Sequence, residues 1–176
     1  METLRLVCHP DTPARSVEFI EVLCERKADS LWLRFYVECA LEELELPLPA
    51  EAVRADGLWQ HTCFEAFVGE GAYTEFNFSP SSQWAAYDFS GYRDGMRERV
   101  IAAMPDVGCD ASDEHFALEA TIDIAGLRGK LGLSAVIEEL DGTKSYWALA
   151  HPPGKPDFHH PACFAAELPA PETPCS

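Results

Sequence analysis

The sequence predicts an all-β fold: an antiparallel β-sandwich, jelly-roll-like, with two packed sheets and about eight to ten strands. Three observations predict it. Apolar and polar residues alternate with period two along much of the chain, as in strands that bury one face. Turn residues interrupt those stretches at short intervals. No helical pattern is long enough to cover a sheet face, which leaves a second sheet as the partner for the buried one.

Leu31, Leu33, Phe35, Val37 and Cys39 share one face of a strand whose other face holds Trp32, Arg34, Tyr36 and Glu38. The apolar run Val17 to Lys27 precedes it across the polar turn Ala28-Asp29-Ser30, so the two form a hairpin. Residues 42–57, with Pro47, Pro49 and Asp56-Gly57, connect strands. Thr62 to Val68, Tyr73 to Ser79 and Gln83 to Phe89 then make a meander around the turns Gly69-Glu70-Gly71 and Pro80-Ser81-Ser82. From Gly91 to Asp113 the pattern breaks into a long loop, in which only Met96 to Met104 suits a helical turn or two. Alternation resumes over His115 to Ile124, Leu131 to Leu140 and Ser145 to Ala150, the last two joined by the hairpin dipeptide Asp141-Gly142.

At 176 residues the chain fits one domain, placed at 1–168, followed by a Pro-rich tail at 169–176 that is expected to fray. Thirteen Lys and Arg against 30 Asp and Glu give a net charge of −17, which repels phosphate backbones and anionic lipid headgroups. Nucleic acid and acidic membrane are therefore excluded as primary partners. Neither an export signal nor an apolar stretch of roughly 18 residues is evident, and the seven cysteines are odd in number with no CxxC pair. These features lead us to expect a cytoplasmic protein with free thiols.

The chemistry-bearing residues concentrate in two stretches. In the first, Tyr73, Glu75, Asn77 and Ser79 point one way from a strand, beside Trp59, Glu65 and Trp84. A polar strand face is most often simply solvated. The sharper reading is a ligand platform, because a sugar ring takes an apolar plate for its C–H face and carboxylate, amide or guanidinium partners for its hydroxyls. Trp59, Trp84 and Trp147 are candidate plates, with core packing as the alternative for each, and Glu65, Glu75, Asn77 and Arg93 are candidate polar partners. The second stretch, Tyr146 to His160, carries His151, Asp157, His159 and His160 among four prolines. Without the i, i+4 spacing of a metalloenzyme helix, these residues suit a loop braced by histidine hydrogen bonds better than a metal site, and no metal is assigned. Nucleophile elbows, phosphate loops and dinucleotide fingerprints are missing, although Glu65 and Glu75 leave two-carboxylate glycoside chemistry open.

Trp59-Gln60-x-Thr62-Cys63-Phe64-Glu65, Tyr73-x-Glu75-Phe76-Asn77-Phe78-Ser79-Pro80, Trp84-x-x-Tyr87-x-Phe89, Gly91-Tyr92-Arg93-x-Gly95-Met96, Tyr146-Trp147-Ala148-Leu149 and Lys155-Pro156-Asp157-Phe158-His159 occur in this order. Together they resemble the bacterial stand-alone DOMON-like proteins, a group related to DOMON domains and to carbohydrate-binding module family 9. The resemblance covers about residues 4–168. It implies a β-sandwich whose wider relatives bind sugars or haem. For sugar, it implies a ring clamped between two Trp with acidic, amide and Arg groups around it, matched in type by Trp59, Trp147, Glu65, Asn77 and Arg93. For haem, it implies a Met with a His or Lys as axial ligands, and the chain has only Met1, Met96 and Met104 and no CxxCH attachment. The expectation is a non-catalytic binder of a small saccharide or polyol, without a cofactor, using Trp59, Glu65, Glu75, Asn77, Trp84, Arg93, Trp147 and His159. The alternatives are a glycan-acting enzyme using Glu65 and Glu75, and a haem-binding protein.

Overall fold

Alternating side chains become twelve strands in the computed structural model, which describes residues 1–170. They are β1 (Glu2–Cys8), β2 (Val17–Lys27), β3 (Ser30–Cys39), β4 (Cys63–Glu70), β5 (Ala72–Phe78), β6 (Trp84–Phe89), β7 (Arg97–Glu98), β8 (Asp106–Ser112), β9 (His115–Asp123), β10 (Lys130–Glu138), β11 (Lys144–Ala148) and β12 (Ala166–Glu167). Every pairing between them is antiparallel. Three single-turn 3-10 segments, Leu41–Glu43, Leu58–Gln60 and Pro161–Cys163, are the helical content of the described residues. No helix in the described residues is long and apolar enough to cross a membrane.

The strands follow one hydrogen-bonded path, β7-β6-β5-β4-β10-β11-β1-β2-β3-β9-β8, with β12 beside β10. The expected two sheets are thus joined through β1, whose residues 2–6 pair with β2 while Val7 and Cys8 pair with β11. The curled sheet buries its inner face against itself: Phe64 of β4 packs on Phe35 of β3 at 5.1 Å and on Phe116 of β9 at 5.9 Å between ring centroids. That inner cluster also takes in Ile20, Val22, Leu33, Phe76, Phe78 and Leu133, all buried.

The Val17 to Lys27 hairpin, the meander and the last three predicted strands form as expected, with ends shifted by a residue or two. The long loop does not. Its predicted helical turn is instead the short strand β7, and β8 fills residues 106–112 as an edge strand with exposed residues at all but Val107. A strand with neither face buried has no alternation to read. The Pro169 carbonyl, at the start of the predicted tail, accepts from Arg26 Nη1 at 3.0 Å. The remainder of the predicted tail, from residue 171, lies outside the described residues.

Candidate functional site

The meander's second face, away from the core, builds a polar floor. Register places Ser134, Glu65, Asn77 and Ala85 side by side across β10, β4, β5 and β6, and in the next row Gly132, Phe67, Glu75 and Tyr87. At Gly132 a side chain would be crowded, because a Cβ would lie 3.3 Å from the Cys163 carbonyl and from Phe67.

The polar row expected on a strand face is not solvated. Glu65, Glu75 and Asn77 are all buried, the last completely. Residues 90–96 and 149–165 lie over them as a roof and, through Arg93, Met96, Pro156, Phe158 and His159, bound a partly open pocket of about 360 Å³, inside the range of roughly 300–1,000 Å³ usual for small-molecule sites. Glu65 and Glu75 lie on its floor, Trp59, Tyr87, Phe89, Tyr146 and Phe158 form aromatic walls, and Arg93, Met96 and His159 stand at its rim.

Floor donors are turned onto floor acceptors. Ser134 Oγ donates to Glu65 Oε2 at 3.1 Å, and Asn77 Nδ2 donates to Glu75 Oε1 at 2.8 Å. Burial raises the Glu65 carboxyl well above the ordinary range, and the neighbouring Glu75 charge adds to this. Burial likewise raises Glu75 to about 7, against the opposing effects of Asn77 and Arg93. His159 sits among Phe67, Tyr73 and Phe89, with ring centroids 5.1–5.9 Å away. Its Nδ1 shares a hydrogen bond with the Tyr73 hydroxyl at 2.8 Å, and its Nε2 lies 3.7 Å from Glu75 Oε2. Burial, assisted by Arg93, lowers its pKa to about 4, so the ring is neutral at pH 7.

A clasp joins the two parts of the roof. Arg93 donates to Asp157 Oδ1 from Nε at 3.2 Å and Nη2 at 2.7 Å, and Tyr92 donates to the other carboxylate oxygen. Burial alone would raise Asp157, but these bonds hold it below the ordinary value. Arg93 takes a left-handed conformation (φ 53°), and Gly95 beside it (φ 62°) is required because a Cβ there would run into Ser90 Oγ.

The structure therefore brings together Trp59, Glu65, Glu75, Asn77, Arg93 and His159 but not the other two indoles. Trp84 and Trp147, expected at the site, are only 5% exposed and belong to the inner core cluster. Parity explains this: Trp147 is adjacent to Tyr146 on β11, so the two must face opposite ways, and Tyr146 takes the pocket. Tyr87, on the pocket face opposite Glu75, is the wall that sequence reasoning passed over in favour of Trp84. Phe158 and the positioning residues Ser134 and Asp157 were also missed as site residues, although Phe158 and Asp157 stand in a quoted motif.

The histidines of residues 151–160 brace the loop. His151 Nε2 bonds the Val7 carbonyl at 2.8 Å, and His160 Nδ1 accepts from Ala162 N at 3.1 Å. Among the described residues no group of three or more His, Cys, Asp or Glu is arranged to hold a metal ion. A haem does not fit the donor set: both nitrogens of His159 face Tyr73 and Glu75, and two buried carboxyls would lie against the macrocycle.

The chain is thus an all-antiparallel β protein with a roofed, acid-floored and aromatic-walled pocket on the outer face of its curled sheet. Its fold is similar to that of a "putative carbohydrate-binding protein" from Bacteroides uniformis ATCC 8492, with a TM-score of 0.64 at 15% sequence identity over 93% of this chain and 84% of that one. A weaker likeness links it to a carbohydrate binding module family 9 from Caldicellulosiruptor kristjanssonii in complex with cellotriose, with a TM-score of 0.49 at 8% identity over 81% of this chain and 70% of that one. No family model and no curated protein matches the chain.

Proposed function

We propose that the protein is a non-catalytic binder of a small saccharide or related polyol, seated in the roofed pocket. The observation that carries the reading is the pairing of fixed carboxyl and amide groups on the floor with aromatic walls around them. A sugar presents hydroxyls to the first and C–H faces to the second. The description of the B. uniformis neighbour as a "putative carbohydrate-binding protein" and the motif resemblance to the DOMON-like proteins support the same reading. Six described cysteines are unpaired, which suits a reducing compartment and supports a cytoplasmic location.

Trp59 and Trp147 provide the test. Trp59 is 43% exposed at the pocket and Trp147 is 5% exposed in the core. Trp59→Ala is expected to weaken binding of whichever sugar a thermal-shift screen identifies by about tenfold or more, with stability almost unchanged. Trp147→Ala is expected to cost about 3–5 kcal/mol of stability. An unaltered sugar affinity in Trp59→Ala removes the proposed site.

A second reading has one observation in its favour. Two carboxyls with raised pKa values in one pocket are what acid–base chemistry on a glycan uses. Steady product release from a bound glycan, lost in both Glu65→Gln and Glu75→Gln, would carry it.

A further inference from the structure

The pocket floor has more acceptors than donors. Asn77 is completely buried, and with its amide nitrogen committed to Glu75, its Oδ1 has no hydrogen-bond partner among the described residues. A buried orphan acceptor is costly, and native structures supply its partner through protein, water or ligand. Ser134 and Asn77 each occupy one oxygen of a glutamate, and the second oxygen of Glu65 and of Glu75 has no protein hydrogen bond among the described residues. Glu75 Oε2 has only the His159 ring at 3.7 Å, which is beyond hydrogen-bond reach.

The cation at the rim does not fill this need. Arg93 is joined to Asp157 by two of its nitrogens, and although its charge lowers the pKa of Glu65 and Glu75, it donates a hydrogen bond to neither carboxyl among the described residues. A bound cation would hold the two carboxyls in their ionised form, and the floor it then meets suits a compact group with several donors. A hydroxyl brings one donor and two lone pairs, while an ammonium brings three donors and none.

We infer that the group seated on Glu65 and Glu75, beside the unpartnered Asn77 oxygen, is an ammonium, and that the ligand is an amine-bearing sugar or polyol in place of a neutral one. The inference rests on the saccharide reading and narrows it. Two further features agree. Aromatic residues Trp59 and Tyr146 line the pocket, and aromatic rings attract cations as well as C–H groups. The chain's net charge of −17 attracts a cationic ligand at long range.

Calorimetry on the intact protein at pH 7.5 with three probes, glucose, glucosamine and N-acetylglucosamine, and with the sugar-free amino alcohol ethanolamine, separates the possibilities. Glucosamine is expected to bind at least about tenfold more tightly than glucose. N-acetylglucosamine, whose nitrogen is uncharged, is expected to bind no better than glucose. The glucosamine-to-glucose ratio is expected to fall toward one in Glu75→Gln and in Glu65→Gln, a ratio that is independent of any change in overall stability. Glucose binding as tightly as glucosamine would overturn the ammonium while leaving the saccharide reading intact. Ethanolamine binding without any of the sugars would uphold the ammonium and overturn the saccharide. Persistence of the preference in both Gln variants, or failure of all four probes to bind at millimolar concentration, would overturn the inference.

Discussion

At Glu75 the demands of the site oppose those of the fold. Burial lifts its carboxyl to about 7, so the folded protein holds this proton more tightly than the unfolded chain does. The stability that results is full below the ordinary value of 4.5 and is lost as the pH rises through about 7. His159 works in the other direction: with its pKa lowered to about 4, it contributes stability above 6.5 that is lost as the pH falls toward 4. The charged or titratable groups facing Glu75 are Glu65 from β4, Tyr87 from β6, and Arg93 and His159 from the roof. Removing the ionisable carboxyl with Glu75→Gln should therefore stabilise the empty protein at pH 8 and do little at pH 4.5. Melting curves at the two values check this, with a gain of several degrees expected at pH 8, given about 2–4 °C per kcal/mol for a chain of this size. A lower melting temperature at pH 8 would show instead that the carboxylate supports the fold. Glu75 was legible in the sequence by parity with Tyr73 and Asn77 along one strand. The error over Trp84 and Trp147 came from treating neighbourhood as orientation, since parity holds within a strand but register between strands is not written in either one.

At the scale of elements, the floor and the roof differ in kind. The floor is built on strands β4, β5, β6 and β10, hydrogen-bonded to one another and packed on the core. Residues 90–96 and 149–165 of the roof meet through Asp157, which accepts from Arg93, Tyr92 and the His159 backbone N–H. Asp157→Asn removes the charge that holds Arg93 while preserving the shape. Because Arg93 is about half exposed, the expected stability loss is only about 1 kcal/mol or less. The expected effect on binding is larger: a sugar seated beneath the roof should dissociate about tenfold faster, with a smaller change in association, as measured by stopped-flow. An unchanged dissociation rate would show that the clasp does not retain ligand. The same contrast accounts for what the sequence conveyed. Strands such as β3 and β9 announce themselves because every second residue is buried. The exposed edge strand β8 and the two-residue β7 and β12 have no such periodicity, and the clasp joins Arg93 to Asp157 across 64 positions without a local pattern. β1 does alternate, with Leu4, Leu6 and Cys8 on one side, but its role of joining the two halves depends on partners far along the chain.

At the scale of the molecule, a single hydrogen-bonded path from β7 to β8 ties the pocket to the core. Glu65 lies on β4, whose opposite face sends Phe64 into contact with Phe35 and Phe116 on the facing half of the sheet. The strand that presents the site therefore also closes the core, which couples the unfolding of the floor to that of the core. A ligand bound only by the folded state stabilises it through mass action, by about 2.7 kcal/mol at 100 times its dissociation constant. If floor and core unfold together, that stabilisation should appear as one transition displaced upward by about 5–11 °C, using about 2–4 °C per kcal/mol. Hydrogen exchange adds a spatial readout: amides of β4, β5 and β10 should slow together with those of β3 and β9, which never touch the ligand. Slowing confined to residues 90–96 and 149–165 would mean that the ligand holds only the roof. Two separate thermal transitions, with only the lower one moved by ligand, would mean that the half of the sheet bearing the pocket unfolds independently of the half it packs against.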